Sequence, residues 1–231
     1  MSKYFLAALI VLSACKHVSK VNNLAIPPNS QSVTVPLQGG LDTIRLLLPN
    51  RYDTSFTWIH YSDCGKPCEK RKYRFQPASL PAFPETGYSY QRLTDSVDQF
   101  TIVHNPYILP EDVDDPNNQT FISSFHDHKK WILMHDPSME KITSDTIEYI
   151  GDRYFSIIIT EIYDTTTREY IRKLLSSTTI KTGTIDFNFE LRTKENNSST
   201  KSFLQEAAIY LRTIRFARNK NDKFQKSLKR G

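Results

Sequence analysis

In "TGTIDFNFELRT" (182–193) the apolar residues Ile185, Phe187 and Phe189 alternate with Asp186, Asn188 and Glu190. Successive side chains of a strand point to opposite faces, so this spacing predicts a strand with one face in a core and one polar face. Much of the chain has the same character. "SVTVPL", "DTIRLLLP", "FTWIHYS", "KYRFQ", "DQFTIVH", "SDTIEYI" and "RYFSIIITEIYD" are short runs of β-branched and aromatic residues. Gly39-Gly40, Gly151-Asp152 and proline-rich loops separate them. Such punctuation joins antiparallel neighbours. "TFISSFH" and "KWILMH" also alternate and read as a pair of strands across the short charged stretch 127–130.

Two segments have helical spacing instead. In "TTREYIRKLLSS" (166–177), Thr166 and Glu169 form a capping-box pair, with Tyr170, Ile171, Leu174 and Leu175 along one side. In "SFLQEAAIYLRTIRF" (202–216), Ser202 and Gln205 form a second pair, and Phe203, Ala207, Leu211 and Ile214 make a stripe. The expected fold is α+β: an antiparallel β-sheet with two C-terminal helices packed on one face, in a single domain over 32–216. From Asp145 to Phe216 the expected order of hairpin, helix, strand and closing helix ending in "LRTIRF" resembles the PsbP/Mog1 superfamily. That resemblance implies a fold and no function.

The first 15 residues, "MSKYFLAALIVLSAC", are of another kind. Lys3 precedes an apolar run from Tyr4 to Leu12 that is too short to cross a bilayer as a helix, which takes roughly 20 residues. This is the layout of a secretory signal peptide over 1–14. Leu12-Ser13-Ala14-Cys15 resembles the lipobox of bacterial lipoproteins. The resemblance implies that the Cys15 thiol takes up lipid and that Cys15 becomes the mature N-terminus. Two or three acyl chains hold a protein to a membrane where one would not. The expected address is the cell envelope, on the periplasmic or surface face of a bacterial membrane. Residues 15–31, polar and with a double proline, read as a lipidated N-terminus and flexible tether.

Removal of 14 residues from 231 leaves 217, enough for one sizeable domain, and lowers the formal net charge from +5 to +4 as Lys3 departs. Only 7 glycines are present, leaving little material for a phosphate-binding loop. No Gly-x-Ser-x-Gly, His-Glu-x-x-His or dinucleotide fingerprint occurs. The sequence therefore points to a non-catalytic module that binds an envelope protein or glycan partner, without cofactor and without nucleic acid. A structural subunit of an envelope assembly is the alternative, and a hydrolase of envelope polymers is a third.

Beyond Cys15 the cysteines are Cys64 and Cys68, between two strand-like runs and around Gly65-Lys66-Pro67. In an oxidising compartment a disulfide stapling this hairpin is expected; a redox pair and a zinc site with His60 are the alternatives. The nearby "KPCEKRKYRF" interleaves cations with Tyr73 and Phe75, a composition suited to an anionic glycan or lipid as well as to a solvated strand face. His126, His128 and His135 cluster in "FHDHKKWILMHD" and are candidate metal ligands if paired strands bring them together. The acidic loop 111–118 offers oxygen ligands without the spacing of an EF-hand. The tail 217–231 is strongly basic.

Overall fold

A computed structural model describes residues 19–20, 27–37, 43–63, 65, 68–81, 96–105, 119–135, 141–180 and 183–217. The lipobox with Cys15, Cys64, the acidic loop 111–118 and the tail beyond Ala217 lie outside the described residues.

The strands are β1 (Ser19–Lys20), β2 (Ser30–Pro36), β3 (Thr43–Pro49), β4 (Thr54–His60), β5 (Lys70–Gln76) and β6 (Val97–Asn105). Helix α1 (Gln119–His135) follows, then β7 (Lys141–Ile150), β8 (Arg153–Asp164), β9 (Glu169–Ile180) and β10 (Gly183–Thr193). Helix α2 (Ser198–Leu211) and β11 (Arg215–Ala217) close the described chain. Eight strands form one sheet in the order β1-β7-β8-β9-β10-β6-β5-β4, antiparallel except for the parallel pair β1 and β7. A small sheet, β11-β3-β2, is also antiparallel. This is the α+β, single-domain architecture that the sequence implies.

The core lies on one face of the large sheet. Ile185, Phe187 and Phe189 of β10 point into it, as their alternation predicts, with Phe100 and Ile102 of β6, Phe75 of β5 and Phe155 and Ile157 of β8. Ile44, Leu46 and Leu48 of β3 and Phe203, Ala207, Tyr210 and Leu211 of α2 complete it. Asn197 caps α2 by accepting the Thr200 N–H at 3.0 Å, a turn earlier than the Ser202 cap the sequence suggests. At the other end of α2, Arg212 donates from Nε and Nη2 to both Glu148 oxygens, at 2.8 and 2.7 Å. This fork ties the helix to β7.

Of the two expected helices, the C-terminal one is α2, but the other is not where the sequence places it. Residues 166–177 enter β9, which pairs with β8 from Asp164↔Glu169 onward. The Asp164 carboxylate accepts the N–H groups of Thr166 and Thr167, and Arg168 takes φ 57°, so the donors a helix start would use are spent on a hairpin turn. Central in the sheet, β9 is buried on both faces, which removes the alternation that would have marked it. Conversely, the expected strand pair at 120–135 is the single helix α1. No Gly or Pro interrupts Gln119–His135, and its inward positions Ile122, His126, Lys129 and Leu133 fall at helical spacing.

The two helices also lie on opposite faces of the large sheet rather than on one. His126 of α1 bonds Ser156 of β8, whereas α2 packs with Phe155 and Ile157, the neighbours that point the other way. Across Asp145–Phe216 the order is therefore β7, β8, β9, β10, α2, β11.

Candidate functional site

Beneath α1 the sheet offers small hydroxyl side chains, and α1 meets them with polar groups. His126, 4 % exposed, shares a 2.8 Å hydrogen bond from Nδ1 with Ser156 Oγ, and its Nε2 lies 3.7 Å from Asp145 Oδ2. Lys130 donates to the same Asp145, and this contact above all holds the carboxyl below its usual range. One turn over, Lys129 Nζ donates to Ser177 Oγ at 2.9 Å and lies 3.8 Å from Asp186 Oδ1. Ser177 in turn donates to Asp186 at 2.5 Å, and Asn105 donates to the other Asp186 oxygen at 2.9 Å. Burial pulls the Lys129 ammonium below its ordinary pKa, and Asp186 pushes in the opposite direction.

Serine beside histidine and aspartate, and serine beside a depressed lysine, are residue types of nucleophilic catalysis. Here the hydroxyls are sealed: Ser156 is 0 % and Ser177 1 % exposed, under the helix. A substrate carbonyl would need to come within about 3.5 Å of the oxygen, and α1 occupies that approach. In this arrangement the seam fixes α1 to β7, β8, β9 and β10. The sequence hides it because its members come from five segments. The one local trace is the run Ser176-Ser177-Thr178-Thr179, hydroxyls where a core strand would carry aliphatics.

The three candidate metal ligands are separated by the helix. His126 turns inward, while His128 and His135 are exposed and flank Trp131, with ring centroids 6.4 and 4.4 Å away. Residues i and i+2 share a face in a strand but stand about 200° apart on a helix. Among the described residues no three His, Cys, Asp or Glu side chains are placed to hold a metal ion.

At the opposite edge of the large sheet, β4 and β5 put an aromatic residue against a basic one twice in succession. Phe56 faces Arg74 and Trp58 faces Lys72, and one rung further His60 faces Lys70. The Phe56 and Trp58 rings stack at 5.5 Å. The Arg74 guanidinium lies 5.6 Å from the first and 4.8 Å from the second, and Lys72 Nζ 5.9 Å from Trp58. Arg74, 2 % exposed, packs against both rings, whereas Phe56, Trp58 and Lys72 are partly exposed and Lys70 is exposed. The sequence displays these cations but not their partners, because register alone aligns "FTWIH" with "KRKYRF". Cys68 follows β4 on the same hairpin, with its N–H donating to Gly65 O at 2.9 Å. The staple expected between Cys64 and Cys68 falls on a residue outside the described ones.

No family model matches the chain, and neither a curated protein nor a solved structure matches it.

Proposed function

We propose that this chain is a lipid-anchored cell-envelope protein, held to a bacterial membrane by acyl chains on Cys15, that acts as a non-catalytic binding module. The anchor rests on the lipobox-like Leu12-Ser13-Ala14-Cys15 behind a short apolar segment. The binding face is the aromatic and basic surface of β4 and β5, and its ligand class is an anionic glycan. The observation that carries this is the stacked Phe56 and Trp58 pair, braced by buried Arg74 beside Lys72 and Lys70. Partly exposed rings supply flat apolar area for the C–H face of a sugar, and the adjoining ammonium groups supply charge for its carboxylates.

The test is binding of the full chain to alginate, with uncharged dextran as the control. Retention on alginate that falls with added salt is expected. Trp58→Ala and Lys72→Gln should each weaken it about tenfold, equivalent to ~1.4 kcal/mol. Equal retention by both variants, or equal binding to dextran, would contradict the assignment.

A further inference from the structure

Helix α1 turns large apolar side chains outward near its C-terminal end. A surface helix ordinarily turns apolar side chains to the core and polar ones to water. Although Ile122 is buried and Leu133 partly buried, the side of α1 that meets the sheet also carries His126, Lys129 and Lys130, which bond Ser156, Ser177 and Asp145. Their outward positions carry Trp131, 56 % exposed, Ile132, 49 %, and Met134, 53 %. These are three of the five large apolar side chains exposed among the described residues. They lie within one turn of each other on the helix.

The position of this patch says what covers it. Strand β1 adds to the outer edge of the large sheet, with Ser19 opposite Glu148 and Lys20 opposite Tyr149 of β7. Cys15 is four residues before Ser19, and four residues span at most about 14 Å. α1 is bonded to the same strand at Asp145, three residues before Glu148, or about 10 Å along β7. The acylated residue and the apolar end of α1 therefore share one edge of the molecule. β4 lies seven strand spacings away, roughly 33 Å, at the other edge.

We infer that the outward face of α1 docks on the lipid bilayer that receives the Cys15 acyl chains, with Trp131, Ile132 and Met134 entering the headgroup boundary. Tryptophan settles at that depth, with apolar neighbours entering the acyl boundary. The inference rests on the lipidation of Cys15. The β4 and β5 surface lies on the same face of the large sheet as α1, in the cross-strand row Trp58, Lys72, Val103, Asp186 and Ser177, but at the far edge from β1.

The chain has two tryptophans, so Trp58→Phe leaves Trp131 as the sole reporter. The lipidated full chain carrying this substitution is reconstituted into phosphatidylethanolamine and phosphatidylglycerol vesicles, and its intact mass is recorded from the same preparation. Trp131 emission should move to the blue, be quenched by brominated acyl chains, and lose acrylamide quenching about threefold relative to the soluble Cys15→Ala chain. Replacing Ile132 and Met134 with serine should reverse part of that protection. A correctly acylated preparation whose Trp131 stays open to acrylamide overturns the docking while the anchor stands. A mass without acyl groups overturns both. Shielding of Trp131 in the Cys15→Ala chain without lipid also overturns the docking, in favour of a protein surface or a second copy.

Discussion

Phe100→Ala should destabilise the domain by about 4 kcal/mol, the upper part of the range for a buried aromatic truncated to alanine. Phe100 is 0 % exposed and sits in β6 directly opposite Phe75 on one side and Phe189 on the other. Its ring centroid is 4.2 Å from Phe189, 6.1 Å from Phe75 and 6.5 Å from Phe187. The substitution therefore removes the middle member of an aromatic row as well as its buried area. Surrounding strands are tied by backbone ladders on both sides and cannot close the gap. Phe100→Leu keeps most of the volume and should cost about 1.5 kcal/mol or less. Urea unfolding of the two variants measures this. A Phe100→Ala loss near that of Phe100→Leu would mean that the row is loosely packed.

The second large effect is a loss of stability in mild acid. His104 is 1 % exposed, and neither ring nitrogen has a hydrogen-bond partner among the described residues. Burial, aided by the positive charge of Arg71 opposite it in β5, lowers its pKa from 6.5 to about 4. Below pH 6.5 the unfolded chain binds a proton that the folded chain refuses, so unfolding becomes easier as pH falls. The contribution is complete near pH 4. At about 1.4 kcal/mol per pH unit it reaches roughly 3 kcal/mol. Asp145, whose carboxyl is held low by Lys130, adds to the same limb at more acid pH, as its folded-state contacts are lost on protonation. Unfolding free energies should therefore decline between pH 6.5 and 4.5. His104→Leu, which cannot titrate, should flatten most of that slope. An equal slope in the variant would place the acid sensitivity elsewhere.

The sheet was legible wherever one face of a strand meets the core and the other meets polar surroundings. "RYFSIIITEIYD" coincides with β8, and Ile185, Phe187 and Phe189 are buried at 0, 0 and 1 % as their alternation requires. Legibility failed where burial is two-sided. β9 has the small sheet's core on one face and α1 on the other, so its apolar residues lose period 2 and can be read as a helical stripe. Asp164 was the missed sign: an aspartate that can accept from the next two amides favours a turn over a helix entry.

α1 failed for the opposite reason. Its outward face carries Trp131, Ile132 and Met134 among polar residues and its inward face is partly polar, so the pattern that identifies a surface helix is blurred and imitates a strand pair. The missing turn residue near 127–130 argued against a hairpin, since two strands joined there would ask for Gly or Asn. The β4 and β5 surface was half legible. Its cations are written in sequence, whereas their pairing with Phe56 and Trp58 needs the register of the hairpin.

Mass spectrometry of the full chain extracted from bacterial membranes tests the anchor most directly. The expected mature protein begins at Cys15 and carries the mass of a diacylglyceryl group and an amide-linked acyl chain. A mature chain that begins at another residue, or at an unmodified Cys15, contradicts the proposal.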